Sequence, residues 1–208
     1  MSSKYDQYAR QAGDWTEKAY ADAAAYLAHR AELIATLGCR LEPGDEVLDL
    51  ACGDAGLGEL LLARGFRYRG VDTTPEMVAE ARRRHGDRVP VELGDLNEYV
   101  PPSPVAATTL FRAIYYARDR KAFFEHVGTY TERKLVFDLN PRQYRPADVV
   151  TELQATGFGK VVLRPFFLPQ TVALPRGVAT TAKALERSGP LARLALRFRF
   201  TYLVAASR

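Results

Sequence analysis

The first segment with a clear period lies close to the N-terminus. Ala19, Ala23, Tyr26, Leu27, Leu33, Ile34 and Leu37 recur at three- and four-residue steps, while Glu17, Lys18, Asp22 and Glu32 fall off that stripe. Such spacing gives a helix one apolar face. A single cation, Arg30, interrupts it. Residues 3–37 read as mostly helical with Gly13 as a break. Asp14, three residues before Glu17, predicts a capped start, and Gly38 predicts the stop.

From Glu46 the pattern changes. Val47, Leu48, Asp49, Leu50 and Ala51 form a short β-compatible run, followed at once by Cys52, Gly53, Asp54, Ala55 and Gly56 and a helical stretch over 57–64. The same strand–turn–helix unit then repeats. A strand over 68–71 ends on Asp72, and Thr73, Thr74 and Pro75 open a helix that runs to about Arg84. Further strands are predicted over 89–93, 105–111, 134–139, 160–167 and 197–205, with helices over 119–130 and 146–156, the last stopped by Gly157. This alternation predicts an α/β domain: a doubly wound, seven-stranded, mostly parallel sheet with helices on both faces. The exception is the stretch 168–196, with Pro169, Pro175 and Pro190 and basic residues from Arg176 to Arg193. A connection that long inside a compact domain is expected to be a functional, substrate-side insertion.

Composition narrows the class. The chain has 208 residues, 47% hydrophobic and 26% charged, which suits one soluble globular domain spanning 1–208. The two cysteines, Cys39 and Cys52, form no CxxC pair, which points to a reducing cytoplasm and away from a zinc module. The first residues are polar and no apolar run approaches the ~18 residues needed to cross a bilayer, so neither a signal peptide nor a membrane span is expected. The formal charge is only +4, and the densest basic run is Arg82, Arg83 and Arg84 on a predicted helix, read as a solvated face. Nucleic acid is therefore not the expected partner. His29, His85 and His126 lack a partner at metal-ligand spacing and read as surface or packing residues, so no metal is expected. No nucleophile–histidine grouping is visible.

The turn after the first predicted strand carries the chemistry. A glycine-bearing turn lets the backbone approach a ligand, and an acid ending the second strand is placed to take ribose hydroxyls. Here Gly53 lies in the turn and Asp72 follows nineteen residues later, which fits a dinucleotide or an adenosyl ligand equally. Gly53, Gly56 and Gly58 do not supply the G-x-G-x-x-G of a dinucleotide site. Asp49 near the end of the first strand would repel a pyrophosphate and suits an ammonium group. Asp95, ending the third strand, can accept from an adenine amine. Three carboxylates along one sheet edge favour a zwitterionic, amine-bearing ligand.

With these residues the chain resembles the class I S-adenosylmethionine-dependent methyltransferases of the small-molecule type, most specifically over residues 46–97. The resemblance implies a Rossmann-like fold and S-adenosyl-L-methionine as cofactor, with S-adenosyl-L-homocysteine as product. It implies that Asp49, Ala51 and Gly53 lie along methionine, that Asp72 holds the ribose hydroxyls, that Thr73 and Met77 flank ribose and adenine, and that Asp95 and Leu96 hold the adenine edge. Arg112, Tyr115 and Tyr116 stand where cofactor or substrate contacts begin in that family. The resemblance also implies that Tyr8 and Trp15 belong to an aromatic N-terminal helical lid over residues 1–37. The chain departs from the family in having Ala51 and Ala55 where glycine is usual, and in lacking an acid before the fourth strand, where Pro104 and Val105 stand. Methyl transfer is an in-line displacement that needs positioning more than a catalytic group. Should the acceptor be a hydroxyl, Tyr116 and Asp119 are the candidate bases. A small-molecule acceptor is the first reading. An RNA or protein acceptor is the second, and a binding protein without turnover the third.

Overall fold

The structure, a computed structural model, describes Gly13, residues 19–195 and residues 201–208. Helix α1 (Ala23–Thr36) begins where Asp22 accepts a hydrogen bond from the Ala25 backbone N–H at 3.0 Å. The apolar stripe is thus interrupted before Asp22, which caps this helix; Asp14 and Trp15 lie outside the described residues. Gly38, at φ +71°, turns the chain out of the helix in the left-handed region.

Strand β1 (Glu46–Leu50) is buried along its whole length, as expected of a parallel strand covered on both faces. It leads through a tight turn to α2 (Gly58–Leu62), and then β2 (Arg67–Asp72), α3 (Pro75–His85) and β3 (Val91–Leu93) follow. The second half runs β4 (Val105–Leu110), α4 (Arg120–Tyr130), β5 (Thr131–Leu139), α5 (Pro146–Ala155) and β6 (Lys160–Pro165). Two helices, α6 (Arg176–Glu186) and α7 (Pro190–Ala195), precede β7 (Tyr202–Ser207).

The seven strands form one sheet in the order β3-β2-β1-β4-β5-β7-β6. β1 pairs in parallel with both β2 and β4, so the winding reverses between β1 and β4 and opens a crevice at the carboxyl ends of those strands. β7 runs antiparallel between β5 and β6, in register from Lys134–Ser207 to Leu139–Tyr202. The alternating side chains of the strands feed two cores. Val47, Val136 and Leu203 pack toward α1, α2 and α3, while Leu48, Leu50, Phe137 and Val204 pack toward α4 and α5.

The stretch 168–195 is mostly helical. It packs on α1 and β6. The buried Glu186 carboxylate bonds His29 Nε2 at 2.6 Å and accepts the Phe167 backbone N–H at 2.7 Å, and Arg187 pairs with Glu32. His29 is thus fully buried, joining α1 to α6. In the Arg82–Arg84 run, Arg82 and Arg83 are exposed, as expected of a solvated face, while Arg84 turns inward. Arg84 bonds Asp54 at 2.9 Å, Arg82 bonds the Val91 carbonyl at 3.0 Å, and Arg83 pairs with Glu80.

Candidate active site

The turn after β1 is wound by three left-handed residues. Ala51 lies at φ +54°, Gly53 at +60° and Ala55 at +56°. Glycine is at ease there, whereas each alanine pays roughly 1 kcal/mol. The two alanines therefore keep the backbone path that glycine would take, and the close approach of the main chain is preserved. Arg84, through the buried Asp54, ties this turn to α3.

Around the turn opens a cavity at the β1/β4 crevice. One half is lined by Asp49, Ala51, Gly53, Asp72, Thr73, Met77, Asp95 and Leu96. The structure thus brings together every residue that the turn and the ends of the first three strands nominated, and the exposed Tyr115 and half-buried Arg112 and Tyr116 line it too. Asp119 does not join them. Its carboxylate accepts the Ala122 backbone N–H at 2.7 Å and caps α4, a role that fixes it away from the cavity. Tyr8 lies outside the described residues, as Trp15 does. The stretch 168–195 contributes no lining among the described residues.

The three acids differ in chemistry. Asp49 is buried and accepts from Thr109 Oγ1 at 2.6 Å and from the Tyr68 hydroxyl at 3.0 Å. Burial pushes its carboxyl up to about 6 in spite of those two bonds. Asp72 spans the mouth of the turn, accepting the Gly53 N–H at 2.8 Å and the Thr74 N–H at 2.9 Å. Burial raises its carboxyl as well, against those backbone donors. Asp95 accepts from the Asn97 backbone and side chain, at 2.9 and 2.8 Å, and from Arg118 at 2.6 Å. Partial burial raises its carboxyl, but Asn97 and Arg118 outweigh that and hold it below the usual range.

The other half of the cavity was less visible in the sequence. Tyr20, Leu27 and Arg30 come from α1 and the residues before it, and Phe111 from the end of β4. Arg30 Nη2 donates to Asp138 Oδ2 and to the Tyr26 hydroxyl, both at 2.9 Å. The other Asp138 oxygen accepts the Arg112 backbone N–H at 2.7 Å and so holds Arg112 at φ +55°. The guanidinium carbon of Arg30 lies 4.3 Å from the Phe111 ring centre and 4.7 Å from that of Tyr26. Beyond Arg112 and Tyr115, the sequence signal for this wall was the cation that interrupts the apolar stripe of α1.

A doubly wound sheet with an antiparallel seventh strand, and a left-handed turn facing an acid at the end of β2, define the class I methyltransferase fold. Residues 47–133 match the family described as "Methyltransferase domain", and the fold around them is that of the S-adenosylmethionine-dependent enzymes of that class. No curated protein matches the sequence. Solved structures agree in fold. A putative methyltransferase of Haloferax volcanii, determined in complex with the activator Trm112, is 19% identical with a TM-score of 0.69, over 98% of this chain and 95% of that one. Phosphoethanolamine N-methyltransferase 2 of Haemonchus contortus is 16% identical with a TM-score of 0.68, over 100% of this chain and 60% of that one. Magnesium protoporphyrin IX methyltransferase of Synechocystis, with bound S-adenosylmethionine, is 16% identical with a TM-score of 0.57, over 100% and 85%.

The residues present suit that cofactor. An ionised carboxylate offers about four acceptor positions. Asp72 lines the cavity with its carboxylate fixed by the Gly53 and Thr74 N–H groups, an acceptor suited to a pair of vicinal hydroxyls. Among the described residues no helix is long and apolar enough to cross a membrane.

Proposed function

We propose that this methyltransferase acts on a small-molecule acceptor. The observation that carries the reading is the wall opposite the aspartates. There Tyr20, Leu27, Phe111 and Tyr115 line the same concave cavity as Arg30 and Arg112, with Phe111 against Arg30 and Tyr20 against Arg112. Such a recess suits one small ring-bearing molecule better than a folded RNA or protein surface. The basic run that would favour RNA is short, and one of its three arginines, Arg84, turns inward to Asp54.

In this reading Asp72 takes the ribose hydroxyls and Asp95 with Leu96 the adenine edge, while Thr73 and Met77 flank the nucleoside. Asp49 faces the ammonium end of methionine beside Ala51 and Gly53, with Arg112 nearby. Bound S-adenosylmethionine supplies an electrophilic methyl group on a sulfonium. The chain's own task is to hold the acceptor atom in line with that methyl, roughly 3–3.5 Å away, and to keep water out. In the same reading Tyr116, which lines the cavity, accepts or relays a proton if the acceptor is a hydroxyl. The test is incubation with S-adenosylmethionine labelled in the methyl group, together with separated small-molecule, RNA and protein fractions of a cell extract. Label confined to the small-molecule fraction is expected. Label in RNA or protein would transfer the reading to those acceptors.

A further inference from the structure

Helix α6 turns the usual order of a globular helix inside out. A helix packed on a sheet normally lays its large apolar side chains inward. Over Arg176–Glu186 the one buried residue is instead an acid, Glu186, while Val178 is 52% and Leu185 39% exposed. Helix α7, which packs against α6, repeats the inversion: the small Ala192 is buried, and Leu191 and Leu194 are 54% and 48% exposed. With Val172 just ahead of α6, five of the eight large apolar residues exposed among the described residues fall between positions 172 and 194. Scattered singly they would need no explanation, but gathered in one stretch they mark a contact surface.

Charge narrows what that surface meets. Residues 168–195 carry Arg176, Lys183, Arg187 and Arg193 against the single acid Glu186, whose carboxylate is turned inward onto His29. Arg187 is balanced by Glu32 of α1. Val178 and Leu185, seven positions apart, make an aliphatic row along α6, and Arg176 and Lys183, at the same spacing, make a basic row. The exposed residues between the two rows are Gly177, Thr180, Thr181 and Ala184, all small. Both threonine hydroxyls donate to carbonyls one turn back, Thr180 to Arg176 at 2.9 Å and Thr181 to Gly177 at 3.0 Å, so neither depends on water. A nucleic acid has no use for the aliphatic row. A second copy docking face to face would set cation against cation. A bilayer with anionic headgroups satisfies both rows at once. We propose that the α6–α7 face rests on an anionic lipid surface, with Leu185, Leu191 and Leu194 entering the boundary between headgroups and acyl chains, and Arg176 and Lys183 pairing with lipid phosphates. Because Glu186 clasps α6 to α1, and α1 contributes Leu27 and Arg30 to the cavity, docking there fixes one wall of the cavity relative to the bilayer.

The test is co-sedimentation of the whole protein with vesicles of phosphatidylcholine, alone or with about 30% phosphatidylglycerol, at physiological salt. Binding at least about tenfold tighter to the anionic vesicles is expected, and it should weaken as salt rises. Arg176→Gln should weaken it by about fivefold, and Leu191→Ser combined with Leu194→Ser by at least about tenfold, with Tm unchanged in both variants. Equal binding to the two kinds of vesicle, no binding, or indifference to the leucine substitutions would overturn the proposal. So would RNA or polyglutamate held as tightly as the anionic vesicles, which would make the face a site for soluble polyanions. A dimer in light scattering that the leucine substitutions dissolve would overturn it too, by assigning the face to a second copy. If the variants do not fold, the wild-type ranking of anionic vesicles, neutral vesicles, RNA and polyglutamate decides alone.

Discussion

Asp49→Asn should make the ligand-free protein more stable at neutral pH, although it removes a residue of the site. The Asp49 carboxyl is raised from 3.8 to about 6 by burial. A carboxyl whose pKa is higher in the fold than in the unfolded chain favours folding only while protonated. That contribution is complete below about pH 4 and is lost as pH rises through 6. Two units correspond to at most about 3 kcal/mol of strain at pH 7.5, at about 1.4 kcal/mol per unit. Asparagine carries no charge, can still accept from Tyr68, and lets the Thr109 hydroxyl reorient. For a chain of this size the gain amounts to a rise in Tm of about 6–12 °C at pH 7.5, shrinking toward zero at pH 4. Thermal melts of both proteins across that range, without ligand, make the measurement. A variant that melts lower than wild type at pH 7.5, or a difference that does not change with pH, would refute the burial argument.

Three further outcomes follow from the geometry. Asp72→Ala removes the acceptor of the Gly53 and Thr74 N–H groups, so it should lower Tm by about 4–8 °C, for a loss of about 2 kcal/mol, as well as abolishing S-adenosylhomocysteine binding; unchanged affinity in a calorimetric titration would remove Asp72 from the site. Ala51→Gly relieves a left-handed alanine and should raise Tm by about 2–4 °C, for about 1 kcal/mol, in the same melts, whereas a decrease would show that the turn is not strained. Glu186→Ala strips partners from His29 and the Phe167 N–H, so limited proteolysis should cut within 168–195 sooner while the affinity for S-adenosylhomocysteine holds; an unchanged cleavage rate would mean that this carboxylate does not pin the segment.

What the sequence made legible was local. Asp49, Gly53, Asp72 and Asp95 sit in successive strand–turn units, where each strand delivers its last residue to the same sheet edge, so spacing along the chain already placed them together. The seven strands were legible for the same reason. The direction of β7 was not, because an alternating apolar strand reads alike whether it runs parallel or antiparallel. The opposite wall of the cavity was hidden by distance. Arg30 and Asp138 are separated by 108 positions and His29 and Glu186 by 157, and no periodicity joins them. Arg30 left a trace only as a break in an apolar stripe. Asp119 misled because an acid just before a helix looks alike whether it serves as a base or as a cap.

The central claim, that this cavity holds S-adenosylmethionine, is tested most directly by calorimetric titration of the purified protein with S-adenosylhomocysteine, with NAD as control. Saturable binding with a Kd on the order of 1–100 μM for S-adenosylhomocysteine, and none for NAD, is the predicted result. Absence of binding, or equal binding of NAD, would contradict the account.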